Sequence, residues 1–123
     1  MKKLIAWFDI PSTNFDRAVK FYNNVLDVDI KVFDYGDEKM GCFPEDDSNI
    51  SGSIFYSPDH KPSSNGTILS FHAGNDLNIV LEKVKKFGGK VKIAKTKIEA
   101  ENRGYFATFL DSEGNCVGLY SDN

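Results

Sequence analysis

The chain has 123 residues, of which 41% are hydrophobic and 27% charged, and its formal net charge is −3. These values fit one folded domain with a core of its own and exclude a disordered chain. A protein that binds nucleic acid usually carries a basic patch, and this balance of charged residues does not indicate one. No apolar run approaches the roughly 18 residues of a membrane span, and no signal peptide is recognisable. We therefore predict a cytoplasmic protein that binds neither nucleic acid nor membrane.

The first half of the sequence begins with a strand pattern at residues 4–10 that stops at Pro11. Ser12, Thr13 and Asn14 are candidate helix N-caps, and apolar residues follow at helical spacing from Phe15 to residue 26. Three further strands are predicted at residues 27–33, 39–43 and 52–57, with an acidic loop at 45–51. This half therefore predicts the order βαβββ.

The second half repeats that order after a stretch rich in Pro and Ser at residues 58–66. A strand is predicted at 67–72, then a helix at 76–87 with Asn75 and Asp76 as candidate N-caps, and this helix ends at the pair Gly88-Gly89. The last three strands are predicted at 90–94, 104–110 and 116–121. The two halves match in topology more than in residues.

One βαβββ unit leaves one face of its sheet uncovered by its single helix, so two units are expected to combine. We predict an α+β fold in which modules at about residues 1–57 and 66–123 form a single domain, 1–123. Their strands are expected to form one curved, mostly antiparallel, eight-stranded sheet around a cleft, with the helices outside. Strand edges and apolar strand surface left by such a fold favour a homodimer.

The phase of the strands selects the side chains expected to line this cleft. They are Trp7, Asp9, Ser53, Phe55, Thr67, Leu69, Tyr105 and Gly118. Arg103, in the loop before the seventh strand, is an added candidate that could reach a carboxylate or phosphate of a ligand.

Asp9 is the acid expected to face into the cleft, because it alternates with Ile5 and Trp7. It could act as a general base or as a polar anchor for a ligand. Alternatively it pairs with a backbone N–H or an arginine at the strand end. Trp7 could stack on a planar or apolar ligand, or it could fill the core between sheet and helix.

The histidines and cysteines do not predict a metal site. His60 lies in the Pro-rich linker, and His72 is out of phase with Thr67 on the fifth strand. Cys42 and Cys116 stand apart from one another in apolar strands, which indicates two buried, reduced thiols. No Gly-x-Ser-x-Gly elbow and no phosphate-binding glycine loop occurs.

Three segments resemble a known superfamily. They are WFDIP leading into DRAVKFYNNVL, LEKV continued by GGKV, and FLDSEGN continued by GLYS. In this order and spacing they resemble the vicinal oxygen chelate proteins, which include glyoxalase I, extradiol dioxygenases and the bleomycin- and fosfomycin-resistance proteins. The resemblance covers nearly the whole chain and is greatest to the short, single-domain, glyoxalase-like branch.

The resemblance implies a divalent metal in the cleft, which chelates two neighbouring oxygens of a substrate. Its ligands would come from the first, fourth, fifth and eighth strands. The matching positions here are Trp7, Ser53, Thr67 and Gly118, none of which is a good metal ligand. The sequence therefore predicts neither a metal nor another cofactor.

Two functions from different classes remain open. The first is a metal-independent homodimer that holds an apolar or aromatic small molecule, as antibiotic-sequestering members of the superfamily do. The second is a lyase, isomerase or dioxygenase with Asp9 as the catalytic base or with an atypical metal site. A protein that only binds another protein is a third alternative.

Overall fold

The computed structural model describes residues 4–46 and 50–123, so residues 1–3 and the centre of the predicted acidic loop lie outside the described residues. The elements are, in chain order, β1 (Trp7–Pro11), α1 (Phe15–Val25), β2 (Lys31–Asp34), β3 (Lys39–Cys42), β4 (Ser51–Tyr56), β5 (Leu69–His72), α2 (Leu77–Lys86), β6 (Lys90–Lys97), β7 (Tyr105–Leu110) and β8 (Cys116–Ser121). The α+β class and both βαβββ modules are confirmed. Among the described residues, neither helix has the length and hydropathy needed to cross a bilayer.

The strands form two four-stranded sheets, with the orders β1-β4-β3-β2 and β5-β8-β7-β6. In each sheet one pair is parallel, β1 with β4 and β5 with β8, and the other pairs are antiparallel. The predicted single eight-stranded sheet is therefore wrong. The edge strands β1 and β5 meet through side chains instead of backbone hydrogen bonds, as in the edge-on contact of the Phe8 and Phe71 rings at 5.9 Å.

Side chains at the predicted positions cap both helices. The Asn14 side chain accepts a hydrogen bond from the Arg17 backbone N–H at 3.1 Å, and the Asp76 side chain accepts one from the Asn78 N–H at 3.0 Å. Each cap satisfies a backbone donor that the first turn leaves free. After α2, Gly88 has a φ of +104°, the left-handed conformation expected of a glycine at this end.

The helices cover one face of each sheet and bury the core between them. α1 contributes Phe21 and Tyr22, which are 2% and 0% exposed. Phe21 reaches the C-terminal sheet, where its ring lies 6.2 Å from the ring of Phe109. The two modules therefore share one core, and the opposite faces of the two sheets, which we call the helix-distal faces, are left without a helical layer.

A hydrogen-bonded clasp joins the β7–β8 turn to α1. The buried Tyr22 hydroxyl donates to Oδ2 of Asp111 at 2.6 Å, and Asn115 donates to the same oxygen at 3.0 Å. Burial, followed by the charge of Asp111, raises the pKa of Tyr22 well above its ordinary value, so the phenol stays a donor. Beside this pair, Glu113 accepts a hydrogen bond from Arg17 Nε at 2.7 Å.

Glu113 also accepts hydrogen bonds from the backbone N–H groups of Thr13 and Asn14, at 2.9 and 2.7 Å. Desolvation by itself would raise the pKa of Glu113, but the hydrogen bonds from Arg17, Asn14, Ser112 and Thr13 outweigh it and hold the pKa below its ordinary value. The carboxylate thus occupies the N-terminus of α1, where the helix dipole also favours negative charge.

Candidate functional site

Asp9 lies on the helix-distal face of the N-terminal sheet, within a small hydrogen-bonded group. Because side chains alternate along β1, Ile10 enters the core, whereas Trp7 and Asp9 lie on the other face. Trp7 Nε1 and Ser53 Oγ both donate to Oδ1 of Asp9, at 2.8 and 2.6 Å. Among the described residues no group donates to Oδ2 of Asp9, so this oxygen is available to a ligand.

The register explains why Ser53 and Asp9 meet. They are direct partners in the parallel pairing of β1 with β4, and Ser53 is fully buried while Asp9 is exposed. Ser53 therefore fixes the carboxylate from the sheet side. Trp7 remains 38% exposed, so its indole retains surface that a ligand could cover.

A cavity of about 410 Å³ lies beside Asp9, between β1 and the C-terminal half; we call it the linker cavity. Its lining includes Asp9, Pro11, His60, Thr67, Leu69 and Cys116. The size falls within the range of small-molecule sites, and the lining combines apolar side chains with a few polar groups, as such sites do. Three residues predicted for the cleft, Asp9, Thr67 and Leu69, thus line one cavity.

Phe55 and His60 extend this group toward the linker. The His60 ring lies 5.4 Å from the ring of Phe55, and the His60 backbone N–H donates to the Ser57 carbonyl at 3.3 Å. The sequence places His60 in the Pro-rich linker, outside the predicted site. In the structure His60 is exposed and lies on the cavity wall, a position that does not follow from strand periodicity because His60 belongs to a loop.

The fifth strand has the opposite phase from the one predicted. Leu69 pairs with Val117 and Ser70 pairs with Gly118, so Leu69 lies on the helix side and Ser70 shares the face of Gly118. His72, in phase with Ser70, lies on that face too. The prediction that Thr67 and Leu69 share a face with Gly118 is therefore wrong. Thr67 itself precedes β5 and is exposed.

Tyr105 and Arg103 lie away from Asp9. Tyr105 pairs with Ser121 and packs against the helix-side core, so it lies on the face opposite Gly118. Its predicted place in the cleft is wrong because β7 pairs Thr108, not Tyr105, with Gly118. Arg103 is exposed in the loop before β7, where its backbone carbonyl accepts a hydrogen bond from Lys97 Nζ at 2.6 Å.

The space beside Gly118 is occupied by Ser70. A Cβ added to Gly118 would collide with Ser70 Oγ and would also approach Ile68 Cγ2. The neighbouring side chain of β5 therefore fills this space, and an indole or a ligand ring does not.

The residues at these positions do not fit a divalent metal. A tight site needs three or four ligands that converge within about 2.0–2.3 Å of one point. Within residues 4–46 and 50–123, no group of three or more His, Cys, Asp or Glu side chains has that arrangement. A Cβ at position 118 would also meet the Ser70 hydroxyl, which ends an exposed side chain, so a carboxylate there would require Ser70 to move.

Cys42 lies near Asp9 on the same face, since it pairs with Ser53 across β3 and β4. Burial raises the pKa of the Cys42 thiol, and the charges of Glu45 and Asp9 raise it further. A thiol with a raised pKa is a weak nucleophile at neutral pH. Cys42 lines neither the linker cavity nor the other cavity beside β1, so we assign it no part in the site.

The fold consists of two βαβββ modules with these sheet orders, and polar side chains lie on its helix-distal faces. These features define a class of α+β proteins built from paired modules. The chain belongs to the Glyoxalase/Bleomycin resistance protein/Dioxygenase superfamily, whose profile matches residues 4–119. The sequence matches no curated protein.

Several solved structures share the fold. Fosfomycin resistance protein FosX from Listeria monocytogenes superposes with a TM-score of 0.74 at 13% identity, covering 100% of this chain and 94% of that one. A hypothetical protein from S. aureus gives 0.71 at 19% identity, covering 98% and 95%. A glyoxalase I mutant from Zea mays gives 0.72 at 18% identity; 95% of this chain is covered, but it spans only 45% of the maize chain. Identities this low establish the fold alone.

Proposed function

We propose that the protein binds an apolar or aromatic small molecule in the linker cavity without a metal, and that Asp9 is the polar anchor. The observation that carries this proposal is Oδ2 of Asp9, to which no described residue donates, beside a cavity of about 410 Å³. Its other oxygen is held by Trp7 and Ser53, so the carboxylate is oriented before a ligand arrives. Preorganisation of this kind reduces the entropy lost on binding.

The lining suggests how such a ligand would lie. An apolar or aromatic body fits against Leu69 and Phe8, and one hydrogen-bond donor reaches Asp9. The Thr67 hydroxyl could satisfy a second polar group. Ser53, Trp7 and Phe55 support the site from the sheet. Arg103 and Gly118 do not line this cavity and do not belong to the Asp9 group. Their ligand role stays a prediction, and it applies only to an assembly of two copies.

The test is a thermal-shift screen of aromatic and oxygen-rich metabolites, followed by titration of Trp7 fluorescence with each stabilising compound. We expect Asp9→Asn to weaken binding about tenfold, because the charged acceptor is lost while the shape is kept. Asp16→Asn, an exposed acid in the first turn of α1, is the matched control and should bind as the parent does. Binding that is indifferent to Asp9→Asn would refute the proposal.

The alternative is a lyase, isomerase or dioxygenase in which Asp9 removes a proton through Oδ2. The same free oxygen supports it, because a general base must be within hydrogen-bond reach of its proton. NMR distinguishes an enzyme from a binding protein when each stabilising compound is incubated with the protein. Turnover that Asp9→Asn abolishes supports an enzyme, and a compound that stays unchanged supports a binding protein. One equivalent of manganese, iron, zinc or nickel per chain, lost on mutation of Asp9 or His72, would instead support an atypical metal site.

We also propose a cytoplasmic homodimer. Apolar side chains on the helix-distal faces are exposed, among them Trp7 at 38%, Phe33 at 36%, Ile68 at 52% and Ile93 at 43%. Burial of such surface favours association. Neither cavity described here joins Trp7 to Gly118, so a second copy could bring the two faces together. Light scattering at micromolar concentration should give about twice the chain mass of 13.8 kDa; a stable monomer would contradict the proposal.

A further inference from the structure

A second and larger cavity lies on the other side of the β1–β5 junction; we call it the aromatic cavity. Its volume is about 590 Å³. Three phenylalanine rings meet at its wall: Phe8 lies 5.7 Å from Phe43 and 5.9 Å from Phe71, and Phe43 lies 5.6 Å from Phe71. Leu26 and Val28, which follow α1, extend the apolar lining.

Two carboxylates lie in the lining of this cavity. Glu45 and Asp46, both exposed, line it on the side of the β3–β4 connection, and His72 lines it from β5. No lysine or arginine of the described residues lines the cavity. Aromatic faces and carboxylates both attract a cation, and neither attracts an anion.

The residues that would confer specificity differ between the aromatic cavity and the linker cavity. The two share Ile5, Phe8 and Leu69, which stand between them, but Asp9 lines only the linker cavity. Glu45 and Asp46 line only the aromatic cavity. A ligand of one cavity can therefore be distinguished from a ligand of the other by variants that touch only one of them.

We propose that the aromatic cavity binds an organic cation with an apolar or aromatic body. The body packs against Leu26, Val28 and the phenylalanine rings, while the ammonium group lies between the ring faces and the carboxylates of Glu45 and Asp46. A volume of about 590 Å³ is ample for a small aromatic amine. Cation–π attraction and partly exposed ion pairs each contribute modestly, so together they favour the cation about tenfold over a neutral molecule of the same shape.

The test uses tyramine and para-propylphenol, which share a ring and a chain length and differ in the ammonium group. Isothermal titration should show tyramine binding about tenfold more tightly. The double variant Glu45→Gln and Asp46→Asn should remove most of this preference. The matched control is Asp37→Asn with Glu38→Gln, a neighbouring exposed acidic pair that loses the same charge outside the cavity and should leave the preference intact.

Two further variants locate the bound probe. Val28→Phe fills the aromatic cavity and should abolish binding of both probes, with circular dichroism confirming the fold. Asp9→Asn should leave tyramine binding unchanged. The proposal is overturned if no saturable binding of tyramine occurs, if the two probes bind equally, or if Val28→Phe has no effect. It is also overturned if Asp9→Asn weakens tyramine binding as much as the acidic double variant does, which would assign the cation to the linker cavity.

Discussion

Replacement of Tyr22 by Phe removes one hydroxyl from the clasp that joins the two modules. Tyr22 is fully buried, and its hydroxyl donates to Asp111 Oδ2 at 2.6 Å. The substitution keeps the ring, which packs edge-on against Phe21 at 5.1 Å and against Phe43 at 5.9 Å. Any loss of stability therefore reports the hydrogen bond and not the aromatic packing.

The expected loss follows from what remains around Asp111. Asp111 is 4% exposed, and among the described residues its carboxylate keeps three donors: the backbone N–H groups of Glu113 and Asn115 and the Asn115 side chain. A hydrogen bond to a charged group contributes about 1.5–3 kcal/mol, and the remaining donors limit the penalty, so we expect about 2 kcal/mol. For a chain of this size that lowers Tm by roughly 6–10 °C.

Urea unfolding followed by circular dichroism measures this difference, and the slope m should be unchanged because the surface exposed on unfolding is the same. Tyr35→Phe is the matched control: Tyr35 is 69% exposed, so its free energy of unfolding should change by less than about 0.5 kcal/mol. A Tyr22→Phe variant as stable as the Tyr35→Phe variant would refute the view that the clasp holds the modules together.

Three other perturbations test separate features. The pKa of Glu113 lies below its ordinary value of 4.5, so its stabilising contribution is present above about pH 4.5 and is lost as the pH falls through the folded-state pKa. Glu113→Gln should therefore lower the free energy of unfolding by about 1 kcal/mol at pH 7, a modest amount because Arg17 is 54% exposed. This loss should vanish in acid, and an equal loss at both pH values would contradict the prediction. Among the described residues the buried Thr108 hydroxyl has no hydrogen-bond partner, so Thr108→Val should stabilise the fold by about 0.5–1 kcal/mol, and a lower Tm would show that the hydroxyl is satisfied. Gly118→Glu should destabilise the fold by about 1–3 kcal/mol, because the new side chain collides with Ser70. Ser70→Gly in the same chain should restore most of that loss, and a Gly118→Glu variant as stable as the parent would refute the collision.

The sequence is sufficient to predict the modules because their signals are local. Asn14 and Asp76 cap their helices as the sequence predicts, and Gly88 takes the left-handed conformation after α2. The strand pattern of β1 also has the predicted phase, with Trp7 and Asp9 on one face. Helix caps and the alternation of side chains along a strand depend on residues only a few positions apart, so both can be predicted directly from the sequence.

The relation between the two sheets could not be predicted in this way. Whether β1 pairs with β5 depends on long-range packing, and here the Phe8 and Phe71 rings meet where backbone pairing was expected. The phase of β5 failed for a related reason. The strand has only four residues, with Leu69 and Phe71 on one face and Ser70 and His72 on the other, and this alternation does not show which of the two faces meets the cleft.

The residues that reveal the family are largely structural in this chain. Asp111, Glu113 and Asn115, from the segment FLDSEGN, form the clasp with Tyr22 and Arg17, which belong to the first of the three segments that carry the resemblance. Such residues identify the fold because they hold it together. The positions at which the resemblance places metal ligands are a separate set, and at one of them, Gly118, the Ser70 side chain lies in the space beside the glycine. The profile match over residues 4–119 shows membership of the superfamily, whereas the chemistry must be tested at Asp9 and in the two cavities beside β1.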